Sequence, residues 1–436
     1  MLLQNTNMKI LHSSPVSSFG GVNFVLEELD QLKINHLLNS FLPRLTSQSK
    51  YSWKDIFYSY WSVIFCGGDC AEDVAINLQS TLKKNPFIQC PSPDRLLNRL
   101  KDLSIPSMIL TKNRSLVSNE ISTNPLLNTL NIKLLKRLGL LHSKVEVLDY
   151  DNTFIFNNKA DAKNTYKKEY GYCPGVGIIN DSIVYIENRN GNSSPHTMQD
   201  DTIRRMMSLL HKQGIKLKTF RADSASYQFA TITTAREFFD TIFVRAKINA
   251  STQKAILSIT NWKEISGTEK QLGSTTFIPF PDAARRAKRK DLLEKYRLIV
   301  TKERRRDGQI NLFTGEACMY SAIMTNDFEM TDEQAMEFYA QRGKQEREFD
   351  ILKNDFIWNK MPFSKLEQNT VFLLITAMCK NIYTYIIDKF AKRFKYLSKH
   401  FRLKKFIFRF ICIPAKWIWS GRERKLRLYG QVAFKT

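Results

Sequence analysis

Residues 144–247 alternate between strand-like and helix-like segments, and this order constrains the fold more than any other feature of the chain. The segments 144–156 (KVEVLDYDNTFIF) and 182–192 (SIVYIENRNGN) are rich in the β-branched and aromatic residues that favour strands. Helix-like and strand-like segments then take turns up to Lys247. Strands followed by strand and helix in alternation predict an α/β layer.

The segments on either side of this layer have a different character, and together they predict five regions. The predicted regions are an all-helical domain (1–140), the first part of an α/β core (141–249), a β-rich insertion (250–324), a helical completion of the core (325–390) and a basic, helical C-terminal region (391–436).

The charge balance points to a polyanionic partner. The chain of 436 residues has 66 Lys and Arg against 42 Asp and Glu, a formal net charge of +24. Nucleic acid is the first candidate and an anionic membrane surface the second. The longest apolar run, residues 371–387, is interrupted by Lys380 and Asn381. It therefore fits a buried helix better than a membrane span, and we expect no membrane partner.

The cysteines argue against a zinc site. Seven cysteines are scattered along the chain, and no two form a CxxC pair. The amino-terminal stretch lacks the apolar core of a signal peptide. We therefore expect reduced thiols in a cytosolic protein.

Three aspartates are candidates for chemistry. Asp149 and Asp151 lie two residues apart on the first predicted strand, so their side chains point to one face. A carboxylate in an apolar strand is costly to bury unless it is paired or binds a metal. Asp223 follows the predicted strand KLKTF, at the end where α/β sheets bind ligands. The alternative for Asp223 is the N-cap of a helix.

The stretch FYAQRGKQEREFDILKNDF, residues 338–356, is the remaining candidate. As one helix it places Tyr339, Arg342, Glu346 and Lys353 within about 60° of one face. A solvated face with an Arg342–Glu346 ion pair would have the same spacing. Spacing alone does not choose between a working site and such a face.

Two aspartates and a glutamate, if the fold brings them together, would form a set of hard oxygen ligands. Mg²⁺ or Mn²⁺ prefers such ligands, and two ions can share them. Ions held in this way would support phosphodiester chemistry. Arg342 and Lys353 would then hold DNA phosphates nearby.

At these residues the sequence resembles a known family. The pattern Tyr339-x2-Arg342-x3-Glu346-x6-Lys353 resembles the Tyr-Arg-Glu-Lys (YREK) signature of bacterial insertion-sequence transposases with an RNase H-like Asp-Asp-Glu (DDE) core. Upstream, Asp151-Asn-Thr153 and the stretch 220–224 (FRADS) are similar to the two Asp motifs of that family and stand in the same order. The resemblance spans roughly residues 15–430.

The resemblance implies an RNase H-like mixed sheet with flanking helices and a metal-binding catalytic triad of Asp151, Asp223 and Glu346. Two Mg²⁺ or Mn²⁺ ions would be bound there. The expected partners are inverted-repeat transposon ends and target DNA, held by a homodimer in the bacterial cytoplasm at the nucleoid. Asp149 shares the face of Asp151 and is the alternative first ligand, although the offset to Thr153 favours Asp151.

The resemblance also implies that Tyr339, Arg342 and Lys353 contact DNA and that the amino-terminal region recognises the transposon end. Arg95 and Arg99, on the predicted helix 92–103, are the candidate contacts there, with a solvated helix face as the alternative. Two other functions remain open. One is a nuclease of the same fold that cuts without joining, and the other is a basic DNA-binding protein without activity.

Overall fold

A computed structural model describes residues 16–111, 118–288, 293–311, 314–430 and 432. The chain forms two compact units. One comprises Met1–Arg99 with Tyr383–Thr436, and the other comprises Leu100–Ile382.

The helices and strands follow one another along both units. The helices are α1 (Val22–Gln31), α2 (Ile34–Phe41), α3 (Trp53–Phe65), α4 (Gln79–Leu82), α5 (Pro93–Lys101), α6 (Pro125–Arg137), α7 (Gln199–Lys212), α8 (Phe229–Phe238), α9 (Ala250–Leu257), α10 (Pro281–Arg286), α11 (Asp332–Ala340), α12 (Lys344–Asn354), α13 (Leu366–Arg393) and α14 (Leu403–Phe406). The strands are β1 (Met108–Thr111), β2 (Ser118–Thr123), β3 (Lys144–Asn152), β4 (Ile155–Phe156), β5 (Lys163–Asn164), β6 (Tyr170–Tyr172), β7 (Gly175–Ile179), β8 (Ser182–Arg189), β9 (Lys216–Ala222), β10 (Thr241–Ala246), β11 (Lys263–Glu264), β12 (Lys270–Phe277), β13 (Tyr296–Arg304), β14 (Cys318–Thr325), β15 (Ala415–Ser420) and β16 (Glu423–Leu428).

The unit formed by the two chain ends packs around α3, a helix that is buried along nearly its whole length. Ser52 begins the helix with a capping box, in which its hydroxyl accepts from the Asp55 amide while the Asp55 carboxylate accepts from the Ser52 amide. Rings from the C-terminal segment form a further cluster, with Phe390 and Phe394 both packed on Phe410. These contacts give the unit an aromatic core.

The C-terminal region departs from the prediction, because β15 and β16 form an antiparallel hairpin where we expected helix. Gly421 and Arg422 connect the strands, and both have positive φ angles (62° and 67°). Two consecutive residues of this conformation make the tight turn that matches the twist of a hairpin. The aromatic and β-branched residues Trp417, Ile418 and Trp419 of β15 also favour a strand.

The second unit is built on a mixed sheet of eleven strands in the order β1-β2-β8-β7-β3-β9-β10-β14-β13-β12-β11. At its centre β3, β9 and β10 run parallel, and β7 and β8 pair antiparallel on the β3 side. Strands β14, β13 and β12 continue the sheet antiparallel beyond β10. The predicted α/β layer is therefore confirmed.

Two hydrophobic clusters cover the sheet. The larger includes Leu148, Tyr150 and Phe220 of the central strands, packed with residues of α7 and α8. The smaller joins Phe243 and Ile323 to Ala335 of α11, with Tyr339 packed against it. Because neighbouring strand residues alternate between faces, residues next to Tyr150 are free to point toward a site instead of this core.

Part of the region predicted to be all-helical (1–140) is strand. β1 and β2 pair with each other, and β2 joins the sheet through β8, where Ile121 lies opposite Arg189. The short segment SNEIST buries Asn119, Ile121 and Ser122, whereas Ser118, Glu120 and Thr123 are half-buried. Pairing with β1 and β8 overrides its weak local preference. The region 250–324 likewise combines strands with α9 and α10.

Within the described residues, α13 is the helix whose length and apolar composition would allow it to cross a membrane. Its most apolar window of 18 residues has a mean hydropathy of 1.5, and 89% of that window is buried inside the fold. Core helices of globular proteins have this combination of properties.

Candidate active site

Asp151 and Asp223 lie side by side at the carboxyl ends of two adjacent parallel strands. Tyr150 of β3 pairs with Ala222 of β9, so the next residue on each strand is an aspartate. Asp151 is the penultimate residue of β3, and Asp223 directly follows β9. The Asp223 carboxylate also accepts from the Ala225 amide and caps the 3-10 turn Ser224–Ser226. Asp223 therefore caps this turn, as the alternative for it predicted, and it also lies near enough to Asp151 to raise the pKa of Asp151.

Asp149 is held by a different partner. Arg221, its neighbour on β9, donates from Nε to Oδ1 at 2.6 Å and from Nη2 to Oδ2 at 2.7 Å. The two side chains are only 6% and 13% exposed. Such a paired geometry gives a buried carboxylate its full complement of donors. Of the two aspartates on this face of β3, Asp151 is thus the one next to Asp223.

The end of α11 lies over these strands. Arg221 also donates to the Phe338 carbonyl oxygen, and its guanidinium lies 5.0 Å from the centre of the Phe338 ring. The Tyr339 hydroxyl donates to the Ala222 carbonyl oxygen at 3.1 Å. Arg342 donates to Asp151 Oδ2 at 2.7 Å. The fold therefore places Tyr339 and Arg342 beside the strand ends that carry Asp151 and Asp223.

The surroundings of Asp151 disfavour its ionised form, so a nearby positive charge would stabilise the carboxylate. Burial raises the pKa of Asp151 to about 7, the Arg342 guanidinium opposes that rise, and the nearby Asp223 adds to it. Two adjacent carboxylates that offer only hard oxygen donors fit a divalent cation such as Mg²⁺ or Mn²⁺. Asp151 and Asp223 could hold such an ion.

Glu346 is placed less closely. It is exposed on the first turn of α12, and the helix predicted over 338–356 is interrupted by a 3-10 turn at Gln341–Gly343. Each 3-10 residue turns about 120° instead of 100°, so three of them rotate α12 by about 60° relative to a continuous helix. The prediction of one continuous helix was wrong, because Arg342 in the turn is bound to Asp151 and fixes the local geometry.

Carboxylates and thiols that could share a metal ion occur elsewhere in the described residues. Three ligand atoms lie within 4.8 Å of one another at Asp69, Cys70 and Asp73 and at Glu120, Asp161 and Glu367. The set Asp151, Asp223 and Glu346 does not meet this distance in the described structure. The fold thus places Asp151 and Asp223 at neighbouring strand ends, whereas Glu346 is exposed on the first turn of α12.

Lys353 lies half-buried in the last turn of α12. Burial lowers the pKa of Lys353, and repulsion from Lys167 lowers it further. The buried thiol of Cys173 lies near both this lysine and Asp151. Burial raises the pKa of Cys173 to about 12, Asp151 adds to the rise, and Lys353 opposes it. Lys353 therefore belongs to the same electrostatic site as Asp151.

Arg95 and Arg99 lie on α5 in the unit formed by the chain ends. Arg95 is exposed, and Arg99 is half-buried and donates to the Ser49 hydroxyl at 3.0 Å. Their role in DNA contact stays a prediction.

Arg221 and Cys173 are the residues of this site that the sequence did not single out. Arg221 lies in the stretch FRADS two residues before Asp223, so strand alternation could have placed both on one face. Its pairing with Asp149 depends on the register of β3 against β9, which no local pattern reveals. For Cys173 the sequence has no such signal.

Comparison with known families supplies the class of protein. Residues 6–436 match the family described as Transposase DDE domain group 1, so the chain belongs to this family of DDE transposases. Members of this class cleave and transfer DNA, and they generally use divalent metal ions.

The chain was also compared with solved structures and with curated proteins. A cryo-EM structure of a piggyBac transposase synaptic complex with hairpin DNA is similar to this chain at 10% sequence identity, covering 91% of this chain and 83% of that one, with a TM-score of 0.42. A comparison with curated proteins finds no match.

Proposed function

We propose that this protein is the transposase of a bacterial insertion sequence, which nicks DNA at the element ends and joins the freed 3′ hydroxyl to target DNA. The observation that carries the proposal is the pair Asp151 and Asp223 at adjacent parallel strand ends, within a sequence that matches a DDE family along nearly its whole length. The central strand order β8-β7-β3-β9-β10 supports an RNase H-like core.

Asp151 and Asp223 are the proposed metal ligands from the sheet, and Glu346 is the third. Bound there, one or two Mg²⁺ or Mn²⁺ ions would activate water or a 3′ hydroxyl and stabilise the charge that develops on the leaving oxygen. Glu346 is one helical turn beyond Arg342, at the start of α12. A modest rotation of α12 would turn its exposed carboxylate toward the aspartates.

The cationic residues of the site have a proposed role in holding DNA. Arg342 neutralises Asp151 in this structure, and its planar group suits a bidentate contact with a phosphate. Lys353 is half-buried, and burial lowers its pKa although Asp350 attracts its charge, so a phosphate would add counter-charge to a lysine that is poorly solvated. Tyr339 positions the end of α11 through its bond to β9. A homodimer would hold the two element ends.

The test uses DNA carrying the inverted repeats that flank the reading frame. Wild-type protein with Mg²⁺ should nick this DNA at the repeat, and Glu346→Gln should bind the same DNA with unchanged affinity but fail to nick it. Nicking by Glu346→Gln at the wild-type rate would contradict the triad.

Pre-cleaved ends supplied with a target plasmid separate transposase from nuclease. A joined product supports the transposase, whereas cutting without joining would support a nuclease of the same fold. Binding with a steep salt dependence and no metal-dependent cutting would leave a DNA-binding protein without activity.

A further inference from the structure

A small sheet of exposed aromatic rings follows directly after Asp151. Strands β4, β6 and β5 pair in that order, and we call residues 153–172 the aromatic sheet. Three of its rings are open to solvent, with Phe156 38% exposed, Tyr170 52% and Tyr166 66%. So many exposed rings within one short segment leave apolar area uncovered, which marks a contact surface.

The rings form an ordered surface. Phe154 and Phe156 lie parallel, with centroids 6.0 Å apart and planes inclined by 2°. Tyr166 meets Phe154 edge-on at 5.1 Å, and the Lys167 ammonium lies 5.5 Å from the centre of the Phe154 ring. Flat rings beside a cation are the combination that holds the bases and phosphates of single-stranded nucleic acid.

Hydrogen bonds through Asp161 and Asn190 attach the aromatic sheet to the rest of its unit. The Asp161 carboxylate accepts from the Tyr172 hydroxyl and, at 2.6 Å, from the Leu366 amide. Asn190 accepts from the Lys163 amide at 2.8 Å and donates to the Asp161 carbonyl oxygen at 2.7 Å. These polar contacts fix the backbone that carries the exposed rings, so a ligand would not have to order that backbone.

The surface adjoins the proposed active site. Lys167 of the aromatic sheet lies near enough to Lys353 of α12 to lower the pKa of that lysine, after burial. Cys173, directly after the sheet, interacts with both Lys353 and Asp151. Two cations that repel each other beside an aromatic surface are complementary to a phosphate with a base attached.

We infer that the aromatic sheet stacks an unpaired base of the DNA end whose phosphate lies at Asp151, with Tyr166 and Tyr170 as the principal rings. This inference rests on the proposed function. The occupant is an unpaired base because each base inside a duplex has both faces covered by its stacked neighbours. Lys167 and Lys353 hold the adjacent phosphates.

The experiment measures binding of the full-length protein to two fluorescein-labelled probes, an oligothymidylate of about 12 nucleotides and a duplex of about 20 base pairs. The double variant Tyr166→Ala/Tyr170→Ala should bind the oligothymidylate about 10-fold to 100-fold more weakly and the duplex with little change. Because both tyrosines are more than half exposed, the variant should unfold at the wild-type temperature.

Two further variants test whether the rings carry the effect. Tyr166→Phe/Tyr170→Phe keeps the rings and should bind the oligothymidylate like wild type. Phe328→Ala removes a ring of similar exposure (53%) outside the aromatic sheet and should also change nothing. Wild-type affinity in the double alanine variant would overturn the inference, and so would an equal loss in the phenylalanine variant or in Phe328→Ala.

Nicking of plasmid DNA in Mn²⁺ keeps this inference distinct from the proposed function. If the wild-type protein nicks DNA while the double alanine variant binds the oligothymidylate normally, the inference alone fails. If the wild-type protein does not nick DNA, the proposed function fails and the inference, which rests on it, falls as well.

Discussion

Replacing Asp149 by asparagine separates a structural carboxylate from a catalytic one. Asp149 accepts two bonds from Arg221, at 2.6 and 2.7 Å, in a pair whose members are 6% and 13% exposed. Removing one charge from a pair this buried costs about 3 kcal/mol, the low end of the usual range because Asn retains one acceptor. In the unit Leu100–Ile382 the unfolding midpoint should fall by about 5 °C.

Thermal unfolding followed by circular dichroism measures that loss, and a double-mutant cycle with Arg221→Gln isolates the pair, with an expected coupling of about 1–3 kcal/mol. Nicking should stay within about tenfold of wild type in Asp149→Asn, whereas Asp151→Asn, which removes a proposed metal ligand, should lose about 10³-fold or more. If Asp149→Asn is as stable as wild type and as inactive as Asp151→Asn, then Asp149 is the ligand and the assignment is wrong.

Three further outcomes follow from the same structure. Gly175→Ala would push a Cβ into the buried Tyr150 hydroxyl and should destabilise the protein by about 1–3 kcal/mol in urea unfolding; wild-type stability would show that Tyr150 can move aside. Glu187→Gln should cost about 3–5 kcal/mol, because the fully buried carboxylate holds Arg205 at 2.9 Å, and an unchanged midpoint would refute that role. Lys353→Met should leave thermal stability unchanged or slightly raised, since burial disfavours the charge, while weakening DNA binding in a filter assay; equal loss of both would make Lys353 structural.

The central strands and helices of the α/β layer could be predicted from the sequence, because the patterns that indicate them lie within short stretches of the chain. The strand-like segments of β3, β9 and β10 are short and contain the β-branched and aromatic residues that favour strands, and helices α7 and α8 separate them. The placement of Asp151 and Asp223 at strand ends also followed, because strand period and strand ends are properties of a short stretch.

What the sequence could not supply depends on contacts between distant residues. A 3-10 turn at Gln341–Gly343 divides the expected helix, and Arg342 in this turn forms an ion pair with Asp151. The turn could not be predicted locally, because Asp151 is far away in the sequence. The hairpin β15–β16 was taken for helix together with the preceding residues 392–410, whose interleaved basic and aromatic residues fit an amphipathic helix. The Ser-Gly pair at Ser420 and Gly421 was the available turn signal.

A crystal of the protein grown with Mn²⁺, with anomalous scattering recorded at the manganese edge, tests the central claim most directly. The account predicts a peak about 2.1 Å from carboxylate oxygens of both Asp151 and Asp223, with the Glu346 carboxylate turned toward it. Manganese bound only at Asp69 and Asp73, with Asp151 still bonded to Arg342, would contradict the account.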